Sequence, residues 1–422
     1  MKELRYDAVV IGGGAAGMAA ALELDAAGFS SAIVEREDDL GGILMQCIHN
    51  GFGLHEFGEE LTGPEFAGRL ADQVSASGIT VYLGTTVTSL QAEGPTSTEG
   101  ANKVLFCVSP DLGVLRITAR TVILAMGCRE RNRGNVRIPG SRPSGVYTAG
   151  LAQRLVNIEG YIPGKDIVVI GSGDIGLIMA RRMSWVGCNV KAVVEIMPYP
   201  SGLTRNIVQC LHDFNIPLYL SSQTTNIFGN DRVEGIEVTP MENGALVPEK
   251  TFRIDCDTVL LSVGLVPENE LSKDAGVELN ATTNGPIVDS SLMTNVDGVF
   301  ACGNVLHVHD LVDWVAEEAR RAGRYAVEYL KGEKPKSQIR VKAGSNVRYV
   351  NPGKLNVQKD NKVYLRSLIV KNDAVLELKI DNRVVRSIKK GHVQPSEMIN
   401  LTIGPKDLEG VGPDSVMDFS IL

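Results

Sequence analysis

YDAVVIGGGAAGMAAALELDAAGFSSAIVE, residues 6–35, is the stretch whose reading decides the fold. Its apolar run at residues 8–11 has the length and Val/Ile content of a buried parallel strand. Gly12-x-Gly14-x-x-Gly17 follows at once and opens an Ala/Leu-rich helix ending near Gly28, and residues 31–34 read as a second strand that ends on an acid, Glu35. The first glycines allow a tight turn and close backbone approach to a pyrophosphate, and Gly17 lets helix and strand pack closely. The helix N-terminus offers free N–H groups and partial positive charge. Glu35 lies 23 residues past Gly12, where a carboxylate can accept both hydroxyls of an adenosine ribose. A glycine motif alone could be a plain tight turn; with strand, helix and acid in place it predicts a dinucleotide site.

The same pattern returns once. Residues 166–170 form an apolar strand, Gly171-x-Gly173-x-x-Gly176 follows, a helix runs to about residue 186, and a strand at 190–194 ends on Glu195, 24 residues after Gly171. Two copies with matching spacing are an internal repeat rather than an accident. Between them, residues 64–77 read as a helix, 79–83 and 85–90 as strands of the kind that deliver backbone to an adenine, 91–103 as an exposed hairpin loop, and 115–124 as a strand broken at Gly127. Residues 128–165, with six glycines and three prolines around a helix at 149–156, read as a crossover between domains. After the second copy come a helix at 203–214, a β-rich run at 218–253, and a strand at 258–263 that ends in SVGLVPEN and echoes the Gly127 break. GVFACGN (298–304) and a helix at about 311–330 complete this part. Residues 336–422 alternate apolar and polar, as in Leu376, Leu378 and Ile380 against Glu377, Lys379 and Asp381, and predict a small separate all-β domain.

The expected fold is therefore α/β: two three-layer dinucleotide-binding domains, the second inserted into the first, plus the β domain. The boundaries read as 1–150 and 286–332 for the first domain, 151–285 for the insertion and 336–422 for the β domain. With 42 basic against 50 acidic residues and a net charge of -8 there is no general attraction to nucleic acid or anionic lipid. Seven scattered cysteines without a CxxC pair suit reduced thiols and a cytoplasmic address. No stretch of about 20 apolar residues predicts a membrane span.

The series GGGAAG…E, strand-AMG, GSGDIG…E, strand-SVG and GVFACGN resembles the pyridine nucleotide–disulfide oxidoreductase superfamily of flavoproteins over about 330 residues. The resemblance implies FAD in the first site and NAD(P) in the second. It assigns Gly12, Gly14, Ala15, Ala16, Gly17, Glu35, Arg36, Gly41, Gly42, Gln46, Val87, Ala125 and Gly127 to FAD, with Gly303 and Asn304 approaching its ribityl chain and pyrophosphate. Gly171, Gly173, Asp174, Ile175, Gly176, Glu195 and Gly264 would hold the second nucleotide. Asn304 stands where family members usually have Asp, and an amide can both donate and accept. Glu195 favours NAD(H), since a carboxylate accepts from a free 2′-hydroxyl and repels a 2′-phosphate, and Ile196-Met197-Pro198 after it brings no basic residue. More locally, GGILMQCIHNGFGLHEFGEELTGPEFA, GCRERNR…IPGSRPSGVYTAG and ACGNVLHVHDLVDWVAEEARRAG resemble flavoproteins of anaerobic glycerol-3-phosphate dehydrogenase operons, with opine oxidase and hydrogen cyanide synthase subunits as more distant relatives. That implies work beside a second flavoprotein dehydrogenase and a small cysteine-bearing protein; homo-oligomer and hetero-complex both stay open.

Where disulfide reductases of this superfamily place two cysteines beside the flavin, this chain has Leu44 and His49, so a dithiol relay is excluded there. Cys47 stands alone, readable as a thiolate activated by a helix N-terminus or as a packed thiol. His49 and His55 in this segment, with His307 and His309 after the Gly303 turn, make four of the six histidines, and imidazoles could carry protons for flavin or substrate. The expected catalytic set is Cys47, His49, His307 and His309. Cys47-x-His49 with His307-x-His309 could compose a metal site but lacks supporting carboxylate spacing, so none is expected. Asp310, Asp313, Glu317 and Glu318 read as acids favoured by the dipole of a helix start. Besides an NAD-linked FAD oxidoreductase, an NADH oxidase or peroxidase using Cys47 and a non-catalytic flavin-responsive scaffold remain open.

Overall fold

The computed structural model describes residues 1–93, 100–333 and 337–422, which fall into two compact units, Met1–Cys128 with Pro267–Leu422, and Arg129–Val266. In the first unit the strand Lys2–Ile11 lies centrally, flanked in parallel by Ser31–Val34 and Gly113–Leu124, with Thr80–Tyr82 outside the former and Val299–Ala301 added to the latter. The helix Ala15–Ala26 follows the first glycine turn. Its Ala-rich surface, buried from Ala15 through Ala21 and at Leu24, lets the long helix Val312–Leu330 approach so closely that a Cβ on Gly323 would sit 2.5 Å from the Ala20 carbonyl. Parallel strands covered on both sides explain the continuous apolar run at residues 8–11.

Lys103–Ser109, a strand the sequence reading passed over, pairs antiparallel with Thr86–Ala92 and Gly113–Leu124. The loop expected at 91–103 lies partly outside the described residues. In the second unit five parallel strands run in the order Val146–Thr148, Thr258–Leu261, Asp166–Ile170, Asn189–Val194 and Leu218–Tyr219. A four-stranded antiparallel sheet built on Ser222–Gly229 and Val233–Glu242 accounts for the β-rich run. The insertion begins at Arg129 rather than 151 and ends at Val266 rather than 285, because Val146–Thr148 is a strand of this second sheet and Ala149 and Ala152 of the following helix are buried in its core.

Residues 337–422 form a five-stranded sheet and a three-stranded sheet, the latter being Val347–Asn351, Asn361–Ser367 and Met398–Ile403, around a core that includes Leu376, Leu378, Leu365 and Phe419. These sheets have their own core but belong to the first unit, and Tyr349, Tyr364 and Arg366 tie them to it as described below.

Candidate functional site: two nucleotide turns and a buried histidine cluster

The first glycine turn is packed behind and open in front. A Cβ on Gly17 would lie 1.8 Å from the Gly12 carbonyl oxygen and one on Gly12 2.5 Å from that of Ala125, whereas one on Gly14 would meet nothing within 4 Å. That open side is the space a pyrophosphate needs, so the turn fits the ADP half of a dinucleotide. Ala15 and Ala16 continue it into the helix. Glu35 is buried and pre-aimed: its Oε2 accepts from the Gly13 N–H at 2.5 Å and its Oε1 from the Glu37 N–H at 2.8 Å. Gly41 donates to the Gly13 carbonyl at 2.9 Å, and Gly42 stands next to Gly14, so the Gly41-Gly42 pair borders the turn. Gln46 is buried after it. Ala125 donates to the Ile11 carbonyl, and Gly127 has φ +71° where the strand breaks. Gly303 closes the group, since a Cβ there would lie 2.9 Å from that of Ala16. Arg36 extends into solvent beside Glu37, and Val87 buries its side chain in the core on the strand Thr86–Ala92, so that what it can offer a ligand is backbone.

The second turn repeats this construction. Glu195, buried, accepts from the Ser172 N–H at 2.9 Å, the Ser172 hydroxyl at 2.5 Å, the Ser201 hydroxyl at 3.0 Å and the Met197 N–H at 2.9 Å. Gly171 and Gly176 pack against Ser262, Gly173 caps the helix Asp174–Trp185, and Gly264 has φ +99°. Ile175 sits partly buried in the first turn of that helix. Asp174 is occupied internally: its Oδ1 accepts from the Leu203 N–H at 2.8 Å and the Asn206 amide at 2.7 Å.

After the Gly303 turn the chain enters a cluster. Glu318 is fully buried on the long helix, where Oε1 accepts from the Gly303 N–H at 2.8 Å and His309 Nε2 at 3.2 Å, and Oε2 accepts from His307 Nε2 at 3.0 Å. Burial works against a charged Glu318, but the two histidines outweigh it and hold the carboxyl well below its usual range. Burial, then the neighbouring His309, pushes His307 down to about 4. The expectation that His307 and His309 carry protons to flavin or substrate is corrected: their side chains are 1% and 0% exposed and their Nε2 atoms are committed to Glu318. Glu318 and Asp313 are likewise not simple dipole acids. Asp313, buried, accepts from the N–H groups of Gly53, His55 and Glu56 at 2.9–3.1 Å. Two histidines and a carboxylate whose ligating atoms lie within 4.8 Å of one another also have the composition of a metal site, with a carboxylate that the sequence reading had not supplied. Here both carboxylate oxygens are already taken by N–H donors.

A family model described as pyridine nucleotide-disulphide oxidoreductase matches residues 6–326. The chain belongs to that family. Its members are flavin-dependent oxidoreductases that use FAD and NAD(P)H. Among curated relatives, an opine oxidase subunit of Agrobacterium tumefaciens (strain Ach5) is 26% identical over 322 residues, covering 71% of this chain and 61% of that protein. An alkyl hydroperoxide reductase subunit of Staphylococcus aureus is 29% identical over 309 residues, 71% of this chain and 54% of the relative. The chain thus spans little more than half the length of these curated relatives. Thioredoxin reductase of T. acidophilum superposes with a TM-score of 0.61 at 26% identity, covering 77% of this chain and 98% of that one. Bacillithiol disulfide reductase of S. aureus, with a TM-score of 0.61 at 15% identity over 79% and 100% of the chains, shares the fold.

Within this family the segment after Gly41 departs from a redox helix. Only a short 3₁₀ turn, Gly42–Gln46, follows, with Leu44 buried in the core. Cys47 ends it half-buried, and its thiol donates to the Ile43 carbonyl at 3.3 Å. Of the two readings of Cys47 the surroundings favour the packed thiol over the activated thiolate: burial pushes it up to about 12, and no helix long enough to lower it begins there. His49 lies against Asn50 and Phe52, its Nδ1 2.9 Å from the Asn50 carbonyl, and His55 stacks on Trp314 with ring centroids 4.9 Å apart. The histidines therefore divide into a loop pair and a buried pair with different surroundings.

Proposed function

We propose that this chain is an FAD-dependent oxidoreductase that moves hydride between NAD(H) and its flavin and passes the electrons to or from a second protein. The observation that carries the reading is the repeated construction of Glu35 and Glu195. Each is a buried carboxylate fixed by N–H groups of its own turn and placed at the end of the second strand of a glycine-turn unit. Bound FAD and NAD would supply the hydride chemistry. The chain's own residues hold and orient: Gly12 to Gly17, Glu35, Gly41-Gly42 and the Gly303-Asn304 turn for FAD, and Gly171 to Gly176 with Glu195 for NAD. The uncompensated charge at Glu195 favours NAD(H) over NADP(H).

A cytoplasmic flavoprotein dehydrogenase of the glycerol-3-phosphate type is the favoured partner, on the sequence resemblance around residues 41–67, 127–150 and 301–323. Both curated relatives are named as subunits, which supports a hetero-complex, and the hydroperoxide reductase relative makes a peroxide-reducing partner the second candidate. Leu44 and His49 in place of a cysteine pair argue that electrons leave without a dithiol relay, and a Cys47 thiol held well above its usual range weakens the single-thiol peroxidase reading. The test is anaerobic mixing of the FAD-loaded protein with NADH, followed by oxidised partner proteins in turn. Bleaching of the flavin by NADH within seconds and its return with one partner are expected. A protein that binds no FAD, or whose flavin stays oxidised, would make the scaffold reading correct.

A further inference from the structure

The β domain lies beyond the family match, which ends at residue 326, yet it reaches the Gly303 turn through three side chains. Tyr349 places its hydroxyl 3.4 Å from His307 Nδ1. Tyr364 sets its ring against both imidazoles, with centroids 5.4 Å from His307 and 5.3 Å from His309, and its hydroxyl donates to Glu317 at 2.6 Å while accepting from Arg321 at 3.3 Å. Arg366 donates to the Val308 carbonyl at 3.0 Å, to Asp310, and to the carbonyls of Pro395 and Ser396. The segment between turn and helix is thus held by β-domain side chains as well as by Glu318.

Hydrogen-bond bookkeeping fixes the proton positions. Glu318 accepts from both Nε2 atoms, so each imidazole carries its proton there. His309 Nδ1 is buried and meets no polar partner among the described residues, so a second proton would leave an N–H unsatisfied. His307 Nδ1 then accepts from Tyr349, whose hydroxyl burial keeps protonated. The titratable and charged groups that face the pair are Glu318, Arg321, Tyr349, Tyr364 and Arg366, and none of them lies within hydrogen-bond distance of His309 Nδ1. His309 in turn passes the order back to the cofactor turn, its backbone N–H donating to Asn304 Oδ1 at 3.0 Å, while Asn304 Nδ2 points to Cys128 Sγ at 3.6 Å.

We propose that Tyr349, Tyr364 and Arg366 of the β domain are positioning residues of the FAD site, holding His307 and His309 as neutral Nε2–H donors to Glu318 so that the Gly303-Asn304 turn stays in binding geometry. The proposal rests on the reading of that turn as the flavin's. The experiment uses the full-length protein with FAD, as wild type, Tyr349→Phe, Arg366→Lys, and Leu376→Ala as a control that loosens only the β-domain core. Three quantities are read: ¹⁵N resonances of the histidine rings, hydrogen exchange of residues 302–310, and the dissociation constant for FAD.

Wild type should show two Nε2–H imidazoles, with His307 taking up no second proton between about pH 5.5 and 8. Tyr349→Phe and Arg366→Lys should shift those resonances, speed exchange at 302–310 and weaken FAD binding by about tenfold, with the ring-conserving Tyr364→Phe intermediate. Leu376→Ala should lower Tm and leave the resonances in place. Wild-type resonances and FAD affinity in both Tyr349→Phe and Arg366→Lys would overturn the proposal, as would a stoichiometric divalent metal bound to deprotonated Nε2 atoms. A wild type that binds no FAD overturns the assignment of the turn instead, and the ring resonances and exchange rates still decide whether the β domain holds it.

Discussion

A cysteine and a glutamate show how environment, rather than residue type, sets what a side chain can do. Cys47 is the sole thiol of the Gly41–His55 segment, yet burial raises it to about 12 and its proton is given to the Ile43 carbonyl. A thiol so far above neutral exists almost wholly protonated at pH 7.5. Alkylation of Cys47 by iodoacetamide, followed by peptide mapping, should be on the order of a hundredfold slower than for an unperturbed thiol, and Cys47→Ser should leave reduction of the flavin by NADH unchanged. Rapid alkylation, or loss of reduction in the variant, would restore Cys47 as a redox group. Glu195 is the converse case, a buried carboxylate oriented by four donors and placed to repel a 2′-phosphate. Glu195→Gln keeps an acceptor for those donors and removes the charge. The ratio of kcat/KM for NADH over NADPH should fall about tenfold, a change of about 1.4 kcal/mol in discrimination. An unchanged ratio would place nucleotide selection elsewhere.

At the scale of elements, local periodicity made the two nucleotide units legible because each part of the pattern serves one short-range need. The strand Asp166–Ile170 falls where its apolar run begins and ends, and Ser31–Val34 likewise. What stayed hidden was long-range. Glu318 lies on the helix face that also carries Ala319, Ala322 and Ala326, and a charged residue within that small-residue face was the available signal for a buried acceptor. Tyr349, Tyr364 and Arg366 had no such signal, since alternation in a strand says which residues are buried but not against what. Asp313 joins elements far apart in sequence, pinning the loop at 53–56 to the start of the long helix through three backbone donors. Glu56 extends the same contact to Arg320. Asp313→Ala should cost about 2 kcal/mol, the scale for buried donors stripped of a charged acceptor, and should speed hydrogen exchange selectively at residues 52–57. Uniform exchange across the unit would mean that the loop is held by its other contacts.

For the whole molecule the buried cluster couples stability to pH, and its two titrations act in the same direction. His307 has a folded value of about 4 against an ordinary value near 6.5, so between these limits the unfolded chain binds a proton that the native protein refuses. Native stability therefore rises with pH through that window and is lost as pH falls from about 6.5 towards 4, by up to about 1.4 kcal/mol per pH unit for the one proton. Glu318, held low in the folded state, contributes fully above its unfolded value near 4.3, and that contribution is lost only at lower pH. Because the cluster joins the Gly303 turn, the long helix and the β sheets, this loss should be felt by the whole first unit rather than by one loop. Urea unfolding followed at pH 7 and pH 5 should show the decline in wild type, and His307→Gln, which can still donate to Glu318 but cannot titrate, should show a shallower one. Equal slopes in the two proteins would remove His307 as the source and leave the acid sensitivity to carboxylates at the surface.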